Sequence, residues 1–244
     1  MLKFFRNIRR RLLDSGKVKS YALYAIGEIL LVVIGILIAL QVNNWNEGKK
    51  DRKTELYVLK EILNNLHEDE RLVNNILKQR VKAKKAIENL QNYLLNDSKS
   101  KDSLPSDLTD VLTFERYYPI NNAYEVLKSK GLKLSNNKIA SQLSRYYDFE
   151  QNKVRSSIYD IEQVLISIYH NPNSIRRFIS SIKRNKKVGL IDLNDPIMHK
   201  ELFNEMIFFE NNNAGTIEKI QSFIEFNNEI TAELEKELKS LEKE

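Results

Sequence analysis

Few side chains in this 244-residue sequence stand at spacings that support chemistry. The three histidines, His67, His170 and His199, are scattered along the chain. His67-Glu68 does not open a zinc-protease H-E-x-x-H motif, because Arg71 stands where the second histidine is needed. The absence of cysteine excludes disulfides, thiolate metal sites and cysteine nucleophiles.

The common phosphate-binding and nucleophile motifs do not occur in the sequence. Carboxylates are abundant, but on helices they usually form a solvated face, and no pair stands out for acid–base catalysis. We therefore expect a protein that is not an enzyme and that uses no metal and no cofactor. Two tyrosine pairs, Tyr117-Tyr118 and Tyr146-Tyr147, could line a ligand pocket, although packing in a helical core is the favoured interpretation.

Residues 21–42, YALYAIGEILLVVIGILIALQV, form the most distinctive segment of the chain. At 1.5 Å per residue, a helix of this length is ~33 Å long, about the hydrocarbon thickness of a bilayer. A buried core helix rarely stays apolar on every face for so long. A cleaved signal peptide has a shorter apolar region that ends in small residues, whereas this one runs into Gln41 and Asn43. We predict a transmembrane helix that stays attached.

The basic residues predict the orientation of that helix. Residues 1–20 carry seven basic side chains and one acidic side chain, whereas residues 43–57 carry four and three. Lysine and arginine resist export, so the N-terminus is expected in the cytoplasm and residues 43–244 in the periplasm. Since the excess of the net charge of +6 lies on one flank of the apolar segment, the sequence does not indicate a nucleic-acid-binding protein.

Charged, aromatic and amide side chains flank the apolar segment and are predicted to lie at the two membrane interfaces. These residues are Arg9, Arg10, Arg11, Tyr21, Tyr24, Gln41, Asn43, Asn44, Trp45 and Asn46. Residues 1–20 alternate apolar and basic side chains at helical spacing, which favours a cytoplasmic amphipathic segment on the inner surface. A disordered basic tail is the alternative.

Glu28 is the charged residue of the apolar segment. An ionised carboxylate in hydrocarbon costs several kcal/mol, so it should be neutral, paired or turned toward another helix. Gly27, Gly35 and Ala39 fall near the same face, where small residues let helices approach closely. We predict that Gly27, Glu28, Gly35 and Ala39 form an association face. In the alternative, Glu28 only reaches toward the interface.

The N-terminal region resembles the signature of a known family. A basic start, KFFRNIR over residues 3–9, precedes the block GEILLVVIGILIALQVNNWNE over residues 27–47. This pattern is similar to that of a family of single-pass membrane proteins from Bacteroidota without an assigned activity, and a looser likeness recurs at residues 122–131 and at Tyr146-Tyr147. The resemblance implies a bacterial inner-membrane location and a helical extracytoplasmic domain, but no chemistry.

Apolar residues recur at helical spacing through the rest of the chain, which predicts an all-α fold. The predicted helices cover 46–96, 106–115, 119–131, 136–170, 174–184 and 195–244. Ser135 and Asp195 are predicted helix caps, Gly131 a left-handed stop, and Gly215 a kink or break. Glu70, Arg80 and Lys84 break a pure heptad pattern in the long helix. We expect an extracytoplasmic antiparallel helical bundle.

Three functions are compatible with this organisation. The leading hypothesis is an interaction or scaffold protein whose transmembrane helix forms a homo-oligomer or binds another membrane protein, while the periplasmic bundle docks partners. The second is a periplasmic sensor or ligand-binding domain that signals through another membrane protein. The third is an ion-conducting oligomer in which Glu28 faces a pore. The expected partners are the lipid bilayer and another protein, not nucleic acid.

Overall fold

The computed structural model describes residues 18–95, 101–181, 188–192 and 194–243. The helices in these ranges are α1 (Val18–Leu95), α2 (Leu104–Leu112), α3 (Asn122–Ser129), α4 (Asn137–Ser144), α5 (Gln151–His170) and α6 (Pro196–Leu241). The shorter elements are 3-10 turns at Lys101–Ser103 and Ile175–Phe178, a π-helical turn at Arg145–Glu150, and antiparallel strands β1 (Ile179–Ser181) and β2 (Gly189–Leu190). The prediction of a helical protein with one long apolar N-terminal helix is confirmed.

The chain divides into two compact units, Met1–Thr54 and Glu55–Glu244, and α1 contributes residues to both. In the first unit, every large aliphatic side chain from Leu23 to Val42 is exposed, with Leu31 exposed to 73%. By length and composition this helix could cross a membrane, and none of its most apolar window is buried.

The second unit contains two hydrophobic clusters. The first cluster, which includes Leu66 and Phe223, joins the 56–77 stretch of α1 to α3, α4, the start of α5 and the C-terminal half of α6. The second cluster, which includes Leu90 and Phe209, joins the 83–94 stretch of α1 to α2, the end of α5 and the N-terminal half of α6. Each cluster therefore draws on the three long helices.

Paired side chains fix the directions of the long helices within this unit. Asn227 of α6 donates to the Leu66 carbonyl at 3.0 Å, and Asn213 of α6 donates to the Arg80 carbonyl at 2.9 Å. Residue numbers rise from Leu66 to Arg80 along α1 while those of their partners fall from Asn227 to Asn213 along α6, so these two helices are antiparallel.

Helix α1 and the α4–α5 stretch run in the same direction. Glu55 of α1 accepts from Ser135 just before α4, and Asp69 accepts from Gln151 at the start of α5. The connection over 101–136 carries the chain back to allow this parallel pairing. After α3, this connection contains Gly131 at φ +60°, the left-handed stop that the sequence predicts.

Of the two predicted helix caps, the one at Asp195 is confirmed and the one at Ser135 is wrong. The Asp195 carboxylate accepts from the first-turn amides of α6, as predicted. Asn136, rather than the predicted Ser135, caps α4 with its side-chain oxygen. The Ser135 hydroxyl instead donates to Glu55 at 2.7 Å, because the carboxylate is a stronger acceptor.

Two predictions about the C-terminal third are wrong. In place of a helix over 174–184, the 3-10 turn ends at Phe178 and the chain enters β1, which pairs with β2. Helix α6 is not broken at Gly215. Asn213 and Thr216, on either side of Gly215, are both buried, and this packing offsets the ~1 kcal/mol cost of a helical glycine.

Candidate functional site

The buried side chains of α1 recur at alternating steps of three and four residues. The row comprises Leu59, Ile62, Leu66, Asp69, Val73, Ile76, Arg80, Ala83, Ile87 and Leu90. Asp69 and Arg80 are the charged members of this row, whereas Glu70 and Lys84 lie off it. Since charged side chains are seldom buried without partners, these two positions serve something more specific than apolar packing.

Asp69 is fully buried and is the centre of a hydrogen-bonded cluster. Its Oδ2 accepts from the Tyr117 hydroxyl at 2.7 Å, the Tyr146 hydroxyl at 2.9 Å and Gln151 Nε2 at 2.6 Å. Asn227 of α6 in turn donates to the Tyr146 oxygen at 2.8 Å. We call these five residues the Asp69 cluster; it connects α1, the segment after α2, the start of α5 and α6.

The π-helical turn Arg145–Glu150 positions two members of the Asp69 cluster. Tyr146 and Gln151 are five residues apart, and in a regular α-helix their directions would differ by about 140°. A π-helical turn holds about one more residue, so residues five apart come to nearly the same side. The turn thereby aims both side chains at one carboxylate oxygen.

Burial sets the electrostatics of the Asp69 cluster. Desolvation raises the pKa of Asp69, while hydrogen bonds from Gln151, Tyr117 and Tyr146 act in the opposite direction. Burial, together with the nearby Asp69 carboxylate, raises the pKa of Tyr117 and of Tyr146, so both remain protonated donors. The cluster is a fixed arrangement of donors around one acceptor, which suits positioning of helices better than proton transfer.

Arg80 belongs to a polar layer between the two hydrophobic clusters. Its guanidinium donates to the carbonyl of Thr113, which follows the last residue of α2. The carbonyl end of a helix attracts a cation, which compensates part of the cost of burying the charge. Burial lowers the pKa of Arg80 to about 10, so the side chain stays charged at neutral pH. Ser157 and Thr216 extend the layer with hydroxyls 2.9 Å apart.

A surface cavity of about 630 Å³ opens beside the Asp69 cluster. Helix α5 lines it with side chains on one face, namely Asn152, Arg155, Ser156, Tyr159 and Glu162. The segment after α2 lines it with Arg116, Tyr117 and Tyr118. Tyr117 is shared by the cavity and the Asp69 cluster, so the buried carboxylate fixes one part of the cavity wall.

The charges in this cavity do not balance. Arg116 Nε lies 3.0 Å from each carboxylate oxygen of Glu162, in a side-on pair. The hydrogen bond from Arg116 lowers the pKa of Glu162, which keeps this pair ionised. Arg155 is exposed and has no carboxylate within 4.0 Å among the residues that the structure describes. One cation therefore remains uncompensated at the cavity.

Gly27, Gly35 and Ala39, three members of the predicted association face, are exposed on α1, and Glu28 is half-buried. A Cβ atom added at Gly27 or Gly35 would meet nothing within 4 Å, so the space beside both glycines is open. The structure contains one chain, and the association itself stays a prediction.

The predicted interface residues divide into two groups. Arg9, Arg10 and Arg11 lie outside the described residues, as does nearly all of the 1–20 segment, and Tyr21 and Tyr24 lie in α1. After the apolar stretch, Gln41, Asn43, Asn44, Trp45 and Asn46 are all exposed on α1. Asn43 donates to Glu47 at 3.1 Å, and Lys49 Nζ lies 3.8 Å from the centre of the Trp45 ring.

The sequence did not lead us to Asp69 or to Arg155. Asp69 stands in the charged run His67–Glu70, which looks like a solvated face. The available signal was its position three residues after Leu66 and four before Val73, where a core side chain belongs. No comparable signal marks Arg155, because polar residues at helical spacing on α5 are found equally on an ordinary solvent-exposed helix face and on the wall of a cavity.

The tyrosine pairs are divided by the structure. Tyr146 and Tyr147 are buried, and Tyr124 stacks on Tyr147 with ring centres 4.5 Å apart, so the favoured core interpretation holds there. Tyr117 is buried as well, but it also borders the cavity, and Tyr118 is 69% exposed. Tyr146 and Tyr147 therefore fit the core interpretation, whereas Tyr117 and Tyr118 line the cavity.

Comparison with known proteins gives a family but no activity. No curated protein and no solved structure matches the chain. A family described as a family of unknown function, DUF6090, matches residues 28–159. The matched region includes Asp69, Tyr117, Tyr146 and Gln151, and it ends before Glu162 and α6. Since the match covers more than half of the 244 residues, this chain belongs to the DUF6090 family.

Proposed function

We propose that this protein is a membrane-anchored interaction protein. Residues 21–42 cross the bacterial inner membrane with the N-terminus in the cytoplasm, and residues 43–244 form a periplasmic helical bundle that docks partners. The observation that carries the proposal is the exposure of every large aliphatic side chain from Leu23 to Val42, in a helix apolar enough to span a bilayer.

Lipid is the covering that best suits this stretch of α1. Burying one large aliphatic side chain is worth about 1.5–3 kcal/mol, so a whole helix surface left in water would be strongly unfavourable. A protein partner usually covers one face, whereas these side chains are exposed all around the helix. Backbone groups inside hydrocarbon need internal hydrogen bonds, and an unbroken helix provides them.

The membrane topology can be tested directly in cells. Single cysteines placed at Ser20 and at Ser240 would be labelled with a thiol reagent that cannot cross the inner membrane, since the natural chain has no cysteine. We expect labelling at position 240 in intact spheroplasts and at position 20 only after lysis. Labelling of position 240 only after lysis would contradict the orientation, and full-length protein in the supernatant after high-speed centrifugation would contradict the anchor.

The interaction role rests on the association face. Gly27 and Gly35 leave open space on α1, which lets a second helix approach to backbone distance. Packing against a helix also removes Glu28 from contact with lipid. We expect Gly35→Leu and Glu28→Leu to reduce a crosslinked complex in native membranes. Val33→Leu, on the opposite side of α1, is the matched control, and an unchanged complex in both test variants would contradict the proposal.

The cavity beside the Asp69 cluster favours ligand binding by the periplasmic domain as a second function. Its volume of about 630 Å³ is within the usual range for small-molecule sites, and its wall combines tyrosines with a few polar groups. We expect a metabolite screen on the full-length protein to yield a compound that raises the thermal midpoint by several degrees. No shift across carboxylates, phosphates, sugars and amines would exclude this second function.

A further inference from the structure

We propose that the cavity between α5 and the 116–118 segment binds a small ligand that carries a carboxylate on a planar apolar body. This inference deepens the second function, ligand binding by the periplasmic domain, and rests on it. Three features of the cavity lead to this ligand: an uncompensated arginine, a neutral ion pair that fixes one wall, and exposed tyrosine rings.

Arg155 provides the contact with the carboxylate. Arg155 lines the cavity, and its guanidinium has no carboxylate within ion-pair distance in the described part of the chain. A guanidinium presents parallel N–H groups that match the two oxygens of a carboxylate. Asn152 lies one helical turn before Arg155, and Ser156 is the next residue; both line the cavity and offer further hydrogen bonds.

The Arg116–Glu162 pair makes the cavity selective for an anion. Glu162 is almost fully buried and already holds Arg116 through both of its oxygens, so it does not attract a ligand cation. With this pair neutral, the charge that remains in the lining is the positive charge of Arg155. An incoming carboxylate therefore meets a net attraction, and an incoming amine meets a net repulsion.

Tyrosine rings provide the contact with the planar body. Tyr118 and Tyr159 border the cavity and are 69% and 55% exposed, which is high for aromatic side chains in a folded domain. A planar ligand that covers them removes aromatic surface from water and gains ring contacts. Tyr117 closes the inner wall, and its hydrogen bond to Asp69 holds it in place before the ligand arrives. The site is therefore rigid at its base and polar at one side.

Ligand-detected nuclear magnetic resonance on the full-length protein in nanodiscs tests the inference. The probes are benzoate, its neutral analogue benzamide, and inorganic phosphate, each up to about 10 mM, which covers the dissociation constants of weak small-ligand complexes. We expect saturation transfer to benzoate and binding of benzamide weaker by at least about tenfold, because the amide loses the charged pair. Phosphate should bind more weakly than benzoate, since it covers no tyrosine ring.

Variants of exposed arginines complete the experiment. Arg155→Gln should weaken benzoate binding by at least about tenfold and leave benzamide unchanged, and Arg155→Lys should fall between. Arg71→Gln is the matched control, since Arg71 is an exposed arginine of α1 outside the cavity lining. Equal binding of benzoate and benzamide, unchanged binding in Arg155→Gln, or no binding of benzoate would overturn the ligand class. A positive metabolite screen in the same protein would then still leave the ligand-binding function standing.

Discussion

At the scale of single residues, the buried row of α1 contains two charged side chains, Asp69 and Arg80, that are accommodated by different means. Asp69 gathers three side-chain donors from separate parts of the chain around one oxygen. Arg80 instead uses the carbonyl end of α2 and has no hydrogen bond to a described carboxylate. Removal of either charge should therefore have different consequences, because only Asp69 leaves several buried donors without an acceptor.

Asp69→Ala should lower the free energy of unfolding by about 3–5 kcal/mol, since it leaves the hydroxyls of Tyr117 and Tyr146 and the amide of Gln151 without their acceptor. Asp69→Asn keeps an acceptor oxygen and removes a buried charge, so its loss should be less than half as large. Denaturant unfolding of the full-length protein, followed by circular dichroism, measures both. Equal losses would contradict a role for the acceptor oxygen.

Glu205 is expected to make the stability of the domain depend on pH. Burial raises its pKa from 4.5 to about 7, the nearby Glu201 adds to the rise, and a hydrogen bond from the Ile175 amide opposes it. Between pH 4.5 and about 7 the folded state keeps a proton that the unfolded state loses, so stability should fall as pH rises through this range.

The variant Glu205→Gln should remove this part of the decline, because its side-chain oxygen still accepts from Ile175 and it carries no charge at any pH. Thermal unfolding midpoints measured from pH 5 to 8 test this prediction. Glu218→Gln, an exposed position on the same helix, is the control and should keep the decline of the natural protein. A parallel decline in Glu205→Gln and the natural protein would exclude Glu205 as its source.

At the scale of elements, local departures from regular geometry position the functional side chains. The π-helical turn between α4 and α5 brings Tyr146 and Gln151 to the same side of the helix. The left-handed residue Gly131 ends the turn after α3, five residues before the cap of α4, which runs parallel to α1. The two glycines Gly131 and Gly215 are therefore not equivalent, since one is required by its backbone angle and the other is tolerated inside a helix.

The two glycines allow a matched prediction. Gly131→Ala should lower the free energy of unfolding by about 1 kcal/mol, because alanine is strained at φ +60° even where space is open. Gly215→Ala should raise it by about 0.5–1 kcal/mol, since alanine favours the helix and meets no atom within 4 Å. Denaturant midpoints of the two variants measure the difference, and a change of the same sign in both would contradict this assignment.

At the scale of the whole molecule, the two units differ in the exposure of their large apolar side chains to water. The second unit buries two hydrophobic clusters of its own, whereas every large aliphatic side chain from Leu23 to Val42 in the first unit is exposed. Under the proposed function, lipid covers the first unit and protein packing covers the second. The stability of the second unit should therefore not require the first.

Expression of residues 50–244 alone tests this independence. We expect a product that is soluble without detergent and that unfolds cooperatively, with a midpoint within a few degrees of that of the full-length protein in nanodiscs. The full-length protein should require detergent or lipid. Aggregation of the truncated chain, or a gradual loss of helix on heating, would show that the domain depends on the residues before it.

The sequence alone determined the features that depend on neighbours along the chain. The apolar run over 21–42, the helical periodicity, the cap at Asp195 and the stop at Gly131 follow from side-chain type and spacing over a few residues. These local rules predicted the long helix of α1 and the helical class of the protein. They failed over 174–184, where the chain forms a short strand that pairs with Gly189–Leu190, a few residues further along, in place of a helix.

Only the tertiary structure decided which residues meet. Periodicity places Asp69 on the buried face of α1 but does not reveal that Tyr117, Tyr146 and Gln151 converge on it from 48 to 82 residues away. The convergence depends on the parallel course of α1 and α5 and on the π-helical turn, neither of which leaves a local pattern. The cavity arises in the same way, because the face of α5 that carries Arg155 becomes a binding surface only where the 116–118 segment lies beside it.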